Sequence, residues 1–312
     1  MRRLYNGIEL PDIGFGTFPQ KEELRESVPT AIRAGYRLVD TSDNYLNETF
    51  VGDGLSYVSE TPIVVVTKFS QPLRTFDLLK CFDESRKKLG GRIDVYLLHW
   101  PFPHLWKNAW RRMEDLYLSG QCKAIGVCNF EKPMLQKLLR FCRVKPMIDQ
   151  FERHPLFCQR KTVDFCHNNG IVVMSYSPLA RMDQELFSNP VLKSIAAQKQ
   201  KTVSQIILRW NIEHGDIPIP ASRRAEHILA NFDVFDFCLS KEEVLRIDAL
   251  DSGHRIRFDP KTRFDRHMKK RFFRYKVKFV AKKIACALGM EMIVKVFLRR
   301  NQVKMTESNK WY

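Results

Sequence analysis

A chain of 312 residues, 44% of them hydrophobic, can bury one large core or two small ones, which excludes disorder as its main state. It holds no run of about 18 apolar residues that would span a bilayer. The opening stretch, MRRLYNGIEL, is not expected to act as a secretory signal, because no apolar segment follows its two arginines.

The net charge of +17 is lopsided: residues 263–312 carry fifteen Lys and Arg against three acids, a net +12, which leaves +5 for residues 1–262. Eight cysteines are scattered without a C-x-x-C pair or a Cys/His cluster of zinc-binding spacing. Reduced thiols in a cytoplasmic setting are expected, and no metal site.

The first predicted element is a β-hairpin, because Asn6-Gly7 in LYNGIEL separates two short alternating segments. Eight strand-like apolar runs follow. They are IGFGTF (13–18), RLVDTS (37–42), IVVVTKFS (63–70), DVYLLHWP (94–101), AIGVCNF (124–130), PMIDQFE (146–152), IVVMSYSPL (171–179) and DIPIPAS (216–222). Between them, residues 21–34, 76–89, 109–119, 132–141 and 191–213 repeat apolar residues at the spacing of amphipathic helices.

Strands nearly continuous in apolar character, each followed by a helix, predict an α/β fold, a closed (β/α)8 TIM barrel with the hairpin in front. An open doubly wound sheet for a dinucleotide would need a glycine-rich phosphate turn. GFGTFP at 14–19 has two of the three glycines and lacks an acid at the proper distance.

Chemistry in such a barrel gathers at the C-terminal strand ends. There the chain places Asp40 and Thr41, Lys68, His99 with Trp100, Asn129, Gln150 with Glu152, Tyr176 with Ser177, and Ser222, while Tyr45 lies in the loop after the second run. Singly, each has a plain structural explanation, such as a solvated lysine or a core histidine bonded to a carbonyl. Asp40, Tyr45, Lys68 and His99 together describe something more specific.

A phenol with an ordinary pKa near 10 is a poor proton donor at neutral pH, and an ammonium beside it lowers that value. Lys68 would supply the ammonium, Asp40 would keep it charged in an apolar mouth, and His99 would orient a carbonyl. The set is that of general acid catalysis on a carbonyl, relayed from Asp40 through Lys68 to Tyr45.

These residues resemble the aldo-keto reductases, nicotinamide-dependent barrel enzymes, and a small bacterial-type member in particular. GYRLVDTSDNYLNE is similar to the family's aspartate–tyrosine motif, VVVTKFS to its lysine strand and DVYLLHWP to its histidine strand. AIGVCNF, DQFERHP and SYSPLA resemble the segments that hold the nicotinamide ring. The likeness runs in order from residue 3 to 262, so a barrel over 1–262 and an extension over 263–312 are expected.

The resemblance implies that Tyr45 donates the proton, tuned by Asp40 and Lys68, while His99 positions the carbonyl. It implies that Asn129 and Gln150 bond the carboxamide, that Tyr176 stacks on the ring, and that Thr17, Thr41, Cys128, Ser177 and Leu179 also touch the cofactor. Trp100 and Phe18 would line the substrate pocket. Ser222, Arg223, Arg224 and Asn231 fall where the family grips the nucleotide's 2′-phosphate.

Three positions depart from the pattern. Ala221 replaces a lysine and His227 an arginine, both at the phosphate end, where a charged partner matters. Cys128 replaces a serine and is a weaker hydrogen-bonding group. Arg223 and Arg224 are placed to compensate, since guanidinium suits phosphate. NADPH is the expected cofactor, with NADH as the alternative.

The expected activity is NAD(P)H-dependent reduction of an aldehyde or ketone. The alternative is a nucleotide-binding regulatory or scaffold subunit held to a membrane or partner by its tail. PFPHLWKNAW (101–110) is short, so an open pocket tolerant of varied carbonyls is expected.

Within the tail, residues 266–300 are read as helical, with Phe279, Ile284, Leu288, Ile293, Val296 and Phe297 on a broad apolar side and basic residues clustered at both ends. Such a helix suits peripheral contact with an anionic membrane, or packing on the barrel or a second subunit. Nucleic acid ranks last, for want of a recognition motif. A monomer is expected.

Overall fold

The computed structural model describes residues 1–70, 77–103 and 105–260. The expected helical extension over 263–312, and with it the membrane contact assigned to 266–300, lies outside the described residues.

The hairpin forms as its Asn-Gly pair predicts. Strand β1 (Arg2–Arg3) pairs antiparallel with β2 (Glu9–Leu10). Between them the chain turns at Gly7, whose φ of 89° is the left-handed region that glycine enters without steric cost. Leu4 and Leu10 are buried in one cluster with Val66, Val95, Ala124, Met147 and Ile217, so the hairpin plugs the end of the barrel where the strands begin.

Eight parallel strands make the barrel: β3 (Phe15–Gly16), β4 (Leu38–Asp40), β5 (Val64–Phe69), β6 (Val95–Leu98), β7 (Ala124–Cys128), β8 (Ile148–Glu152), β9 (Val172–Tyr176) and β10 (Ile217–Ile219), each bonded to the next in chain order. The seam between β3 and β10 is closed by Gly14 N–H to the Pro218 carbonyl at 3.0 Å and Gly16 N–H to the Pro220 carbonyl at 2.9 Å. Both prolines lack an N–H to return, so the seam is bonded in one direction only.

A Cβ on Gly16 would lie 3.1 Å from the Ile219 carbonyl oxygen, and one on Gly14 would lie 2.5 Å from the Leu38 side chain. In the GFG that fails as a phosphate turn, Gly16 therefore serves the seam, where two backbones approach closely, and Gly14 makes room for the Leu38 side chain.

Helices cover the outside: α1 (Leu24–Ala34), α2 (Glu48–Ser56), α3 (Leu78–Lys88), α4 (Trp106–Leu118), α5 (Lys132–Leu139), α6 (Arg160–Asn168), α7 (Gln184–Ser188), α8 (Pro190–Lys199), α9 (Val203–Glu213), α10 (Ala225–Phe232) and α11 (Lys241–Asp248). The single helical stretch expected over 191–213 is two helices. Gln200 enters the left-handed region at φ 55°, and Thr202 then caps α9 in a reciprocal pair with Gln205. Among the described residues, no helix is long and apolar enough to cross a membrane.

What positions the site is the period-two alternation of each strand. Leu38, Val66, Leu97, Ile148 and Met174 all belong to the cluster inside the barrel. Two residues further along the same rows stand Asp40, Lys68, His99, Gln150 and Tyr176. The candidate site is the uppermost layer of the core.

Layers this tight leave no room for growth. A methyl group on Gly126 of β7 would meet the Ile148 carbonyl oxygen at 2.5 Å and Leu97 at 2.7 Å. Gly126→Ala is expected to cost about 1–3 kcal/mol in a urea melt, and an unchanged midpoint would contradict this packing.

Candidate active site

Lys68 is wholly buried, a placement that a lone ammonium does not tolerate. Its Nζ donates to Asp40 Oδ2 at 2.6 Å, to the Thr41 carbonyl at 2.8 Å and to Tyr45 Oη at 3.5 Å. The second carboxylate oxygen of Asp40 accepts from Gln150 Nε2 at 2.8 Å. Burial alone would strip the proton from Lys68, but the Asp40 carboxylate reverses this and holds the ammonium above the ordinary lysine value.

Tyr45 reaches this pair from a short 3-10 turn, Asp43–Tyr45, that opens on Ser42. Burial pushes its phenol up to about 12, the Lys68 charge pulls it down, and Asp40 opposes that pull. The expectation that Lys68 lowers this pKa is thus corrected: the cation acts in the expected direction, and desolvation outweighs it. Tyr45 is consequently a fully protonated phenol at neutral pH.

His99 is oriented through Nδ1, which meets Ser42 Oγ at 3.1 Å and also Ser70 Oγ, the two hydroxyls lying 2.8 Å apart. Its ring stands edge-on to Tyr45, with centroids 5.9 Å apart. The sequence reading did not single out these two serines. Each lies two residues beyond a residue it did single out, Asp40 and Lys68, so the alternation along those strands was the available signal.

Behind them, buried Asp43 accepts Ser70 N–H at 3.1 and 3.2 Å. Burial pushes its carboxyl up to about 7, against the hydrogen bonds from Ser70.

The remaining predicted residues divide into three groups. Thr17 and Thr41 are fully buried, and their hydroxyls bond inward, Thr17 to the Asp40 carbonyl at 3.0 Å and Thr41 to Asn47 Oδ1 at 2.8 Å. Asn47, given no role by the sequence reading, donates to the Thr17 and Gln20 carbonyls at 3.1 and 3.0 Å and so ties the ends of β3 and β4.

In the second group, Asn129 at φ 62° donates to the His99 carbonyl at 3.0 Å and accepts from the Tyr176 hydroxyl at 2.7 Å. Ser177 follows at φ 47°, and Leu179 packs on the core beneath α7 to α9. Cys128 is buried with Lys68 and Asp40 close by, and desolvation keeps its thiol neutral.

The third group lies at the turn from β10 into α10. Ser222 Oγ accepts Arg224 N–H at 3.2 Å, and the Arg224 guanidinium reaches His227, Nη2 to Nε2, at 2.7 Å. Arg223 is exposed and stands 3.8 Å from Glu23, while Asn231 is buried within α10.

Two aromatic residues flank the catalytic candidates. Trp100 stacks on His99 at 5.6 Å, and Phe18 leans on Tyr45 at 5.0 Å. A half-buried phenol ring with two amides beside it, and a serine, an arginine and a histidine at a helix start, form a donor set that suits a nicotinamide nucleotide.

Residues 12–252 match the family model for aldo/keto reductases. The chain belongs to the aldo/keto reductase family. It is an oxidoreductase of the carbonyl-reducing kind, and neither the fold nor the relatives support the scaffold alternative.

This aldo/keto reductase is 39% identical over 264 residues to the glyoxal reductase of Bacillus subtilis (strain 168), covering 83% of this chain and 95% of that one. An aldo-keto reductase from a deep-sea metagenome library superposes with a TM-score of 0.79 at 35% identity, over 83% of this chain and 98% of that one. A Bombyx mori aldo-keto reductase solved in complex with NADP superposes at 0.77 and 30% identity, over 84% and 97%.

Because Asp40 and Lys68 neutralise each other in a dry site, removing one strands the other. Asp40→Asn and Lys68→Met are each expected to cost about 3–5 kcal/mol in urea unfolding, and the double variant much less than the two together. Strict additivity would show that the pair is not coupled.

Proposed function

We propose that this aldo/keto reductase reduces small aldehydes and dicarbonyls with NADPH, using Tyr45 as general acid. One observation carries the reading: a buried ammonium lies between a carboxylate at 2.6 Å and a phenol at 3.5 Å. When bound, the reduced nicotinamide supplies the hydride.

The protein supplies the proton and the geometry. Tyr45 passes its phenolic hydrogen to the carbonyl oxygen as negative charge builds there. Lys68 steadies the phenolate left behind, and Asp40 keeps Lys68 charged throughout. His99, held by Ser42 and Ser70, fixes the direction of the carbonyl, while Phe18 and Trp100 limit water beside it.

Asn129, Gln150 and Tyr176 would take the nicotinamide end, with Thr17, Thr41, Cys128, Ser177 and Leu179 shaping its floor. At the far end, Ser222 and Arg224, joined by His227 and backed by Arg223 and Asn231, would replace the grip lost with Ala221. The glyoxal reductase relative supports a small substrate. A protein solved with NADP supports the phosphorylated nucleotide over NADH.

The test follows nucleotide absorbance with glyoxal and methylglyoxal, using NADPH and NADH in parallel. Tyr45→Phe should lower kcat by about 10²–10⁴-fold while NADPH binding holds. A variant as active as the parent would remove Tyr45 from the chemistry.

We place the enzyme in a reducing, cytoplasmic compartment as a monomer; the seven cysteines among the described residues, all free thiols, support the compartment. Peripheral contact of residues 266–300 with anionic membrane is a separate proposal, resting on the +12 charge of residues 263–312. The full chain should float with anionic vesicles and a chain ending at 262 should not; equal flotation would end the idea.

A further inference from the structure

Glu152, the last residue of β8, is a fully buried carboxylate that meets no lysine or arginine side chain among the described residues. Beside His154 Nε2 at 3.1 Å, it accepts backbone N–H groups from the segment after α11: Ile256 at 2.6 Å and Arg257 at 3.0 and 3.1 Å. His254 N–H adds a bond to the Leu156 carbonyl at 3.0 Å. The backbone of 254–257 is therefore pinned to the rim that carries the catalytic candidates.

The pinning fixes where the Arg257 side chain starts. Its guanidinium carbon lies 5.4 Å from the centre of the Phe18 ring, and that ring lies 5.0 Å from the ring of Tyr45. The cation and the ring of the proton donor thus contact the same phenyl ring. The charge also bears on the Tyr176 phenol, where burial raises the pKa and Arg257 opposes the rise.

Neighbouring cations are already engaged. Arg255 is paired with Glu131 at 2.9 Å, and the Lys21 ammonium donates to the Tyr45 and Leu46 carbonyls. Among the described residues, no carboxylate stands within ion-pair distance of the Arg257 guanidinium. A half-buried guanidinium over an aromatic face is a strong site for a carboxylate, since it offers paired donors with part of its hydration removed.

We propose that Arg257 sets substrate preference by binding a carboxylate that the substrate carries about one ring's breadth from its reacting carbonyl. The preferred class is then oxo-acids and aldehyde acids of that length. This inference rests on the reductase reading above.

The experiment compares 4-carboxybenzaldehyde with methyl 4-formylbenzoate, a neutral ester of similar shape and electronic demand, at saturating NADPH. The ratio of kcat/KM, acid over ester, should exceed one in the parent. It should fall about tenfold in Arg257→Met, a factor in the usual range for a charge-assisted hydrogen bond. Arg257→Lys should keep part of the preference, and the parent's ratio should shrink in about 0.5 M salt.

A ratio that is the same in parent and Arg257→Met overturns the proposal. So does an equal fall on acid and ester, which marks a merely structural role. A parent that consumes NADPH with neither aldehyde nor glyoxal overturns the reductase reading and this one with it, and one that consumes it with glyoxal alone overturns this one only. A parent that reduces both with no dependence on residue 257 overturns this one alone.

Discussion

The contact between Lys68 and Asp40 is the constraint around which the rest of the site is arranged. An ammonium with no exposed surface is stable only while a carboxylate stays within hydrogen-bond reach, here 2.6 Å. Adjacent parallel strands provide this, since Asp40 is level with Val66 in the β4–β5 register and Lys68 lies one pleat above it. Gln150 then takes the other oxygen and the Thr41 carbonyl takes another ammonium proton. A hydrophobic pair of similar volume would stabilise a barrel at least as well, so the charges are best understood through Tyr45.

Tyr45 sits at the balance point of two opposed effects. Desolvation protects its proton, and the nearby cation makes giving that proton up less costly. A phenol in water would have neither property. A site that holds the proton firmly at rest, yet stabilises the anion it leaves, is matched to a reaction in which the demand for a proton arises only as the carbonyl gains charge.

Much of this was legible in the chain. Apolar runs followed by amphipathic stretches marked the barrel, Asn6-Gly7 marked the hairpin, and Asp40, Tyr45, Lys68 and His99 fell on one rim once the strands were placed. What stayed hidden depended on depth or on distance along the chain. The net direction of the Tyr45 shift turns on how dry the site is, which no local pattern encodes. Glu152 was visible at a strand end with His154 close by, but the backbone it pins lies more than a hundred residues away. The break between α8 and α9 rests on one left-handed residue, Gln200, within a pattern that otherwise reads as continuous helix.

The rows that run from core to site carry a consequence for how such an enzyme can change. A slip of one residue in any strand would turn its core side chain and its catalytic side chain outward together. Loss of chemistry by misregistration is therefore inseparable from loss of the fold, and the register that keeps the core closed also keeps Asp40, Lys68 and His99 turned toward the site. Phe18, Trp100 and Arg257 stand outside those strands, in connecting segments where replacement disturbs no ladder. Substrate choice is free to drift across generations on a reaction centre that is inherited whole.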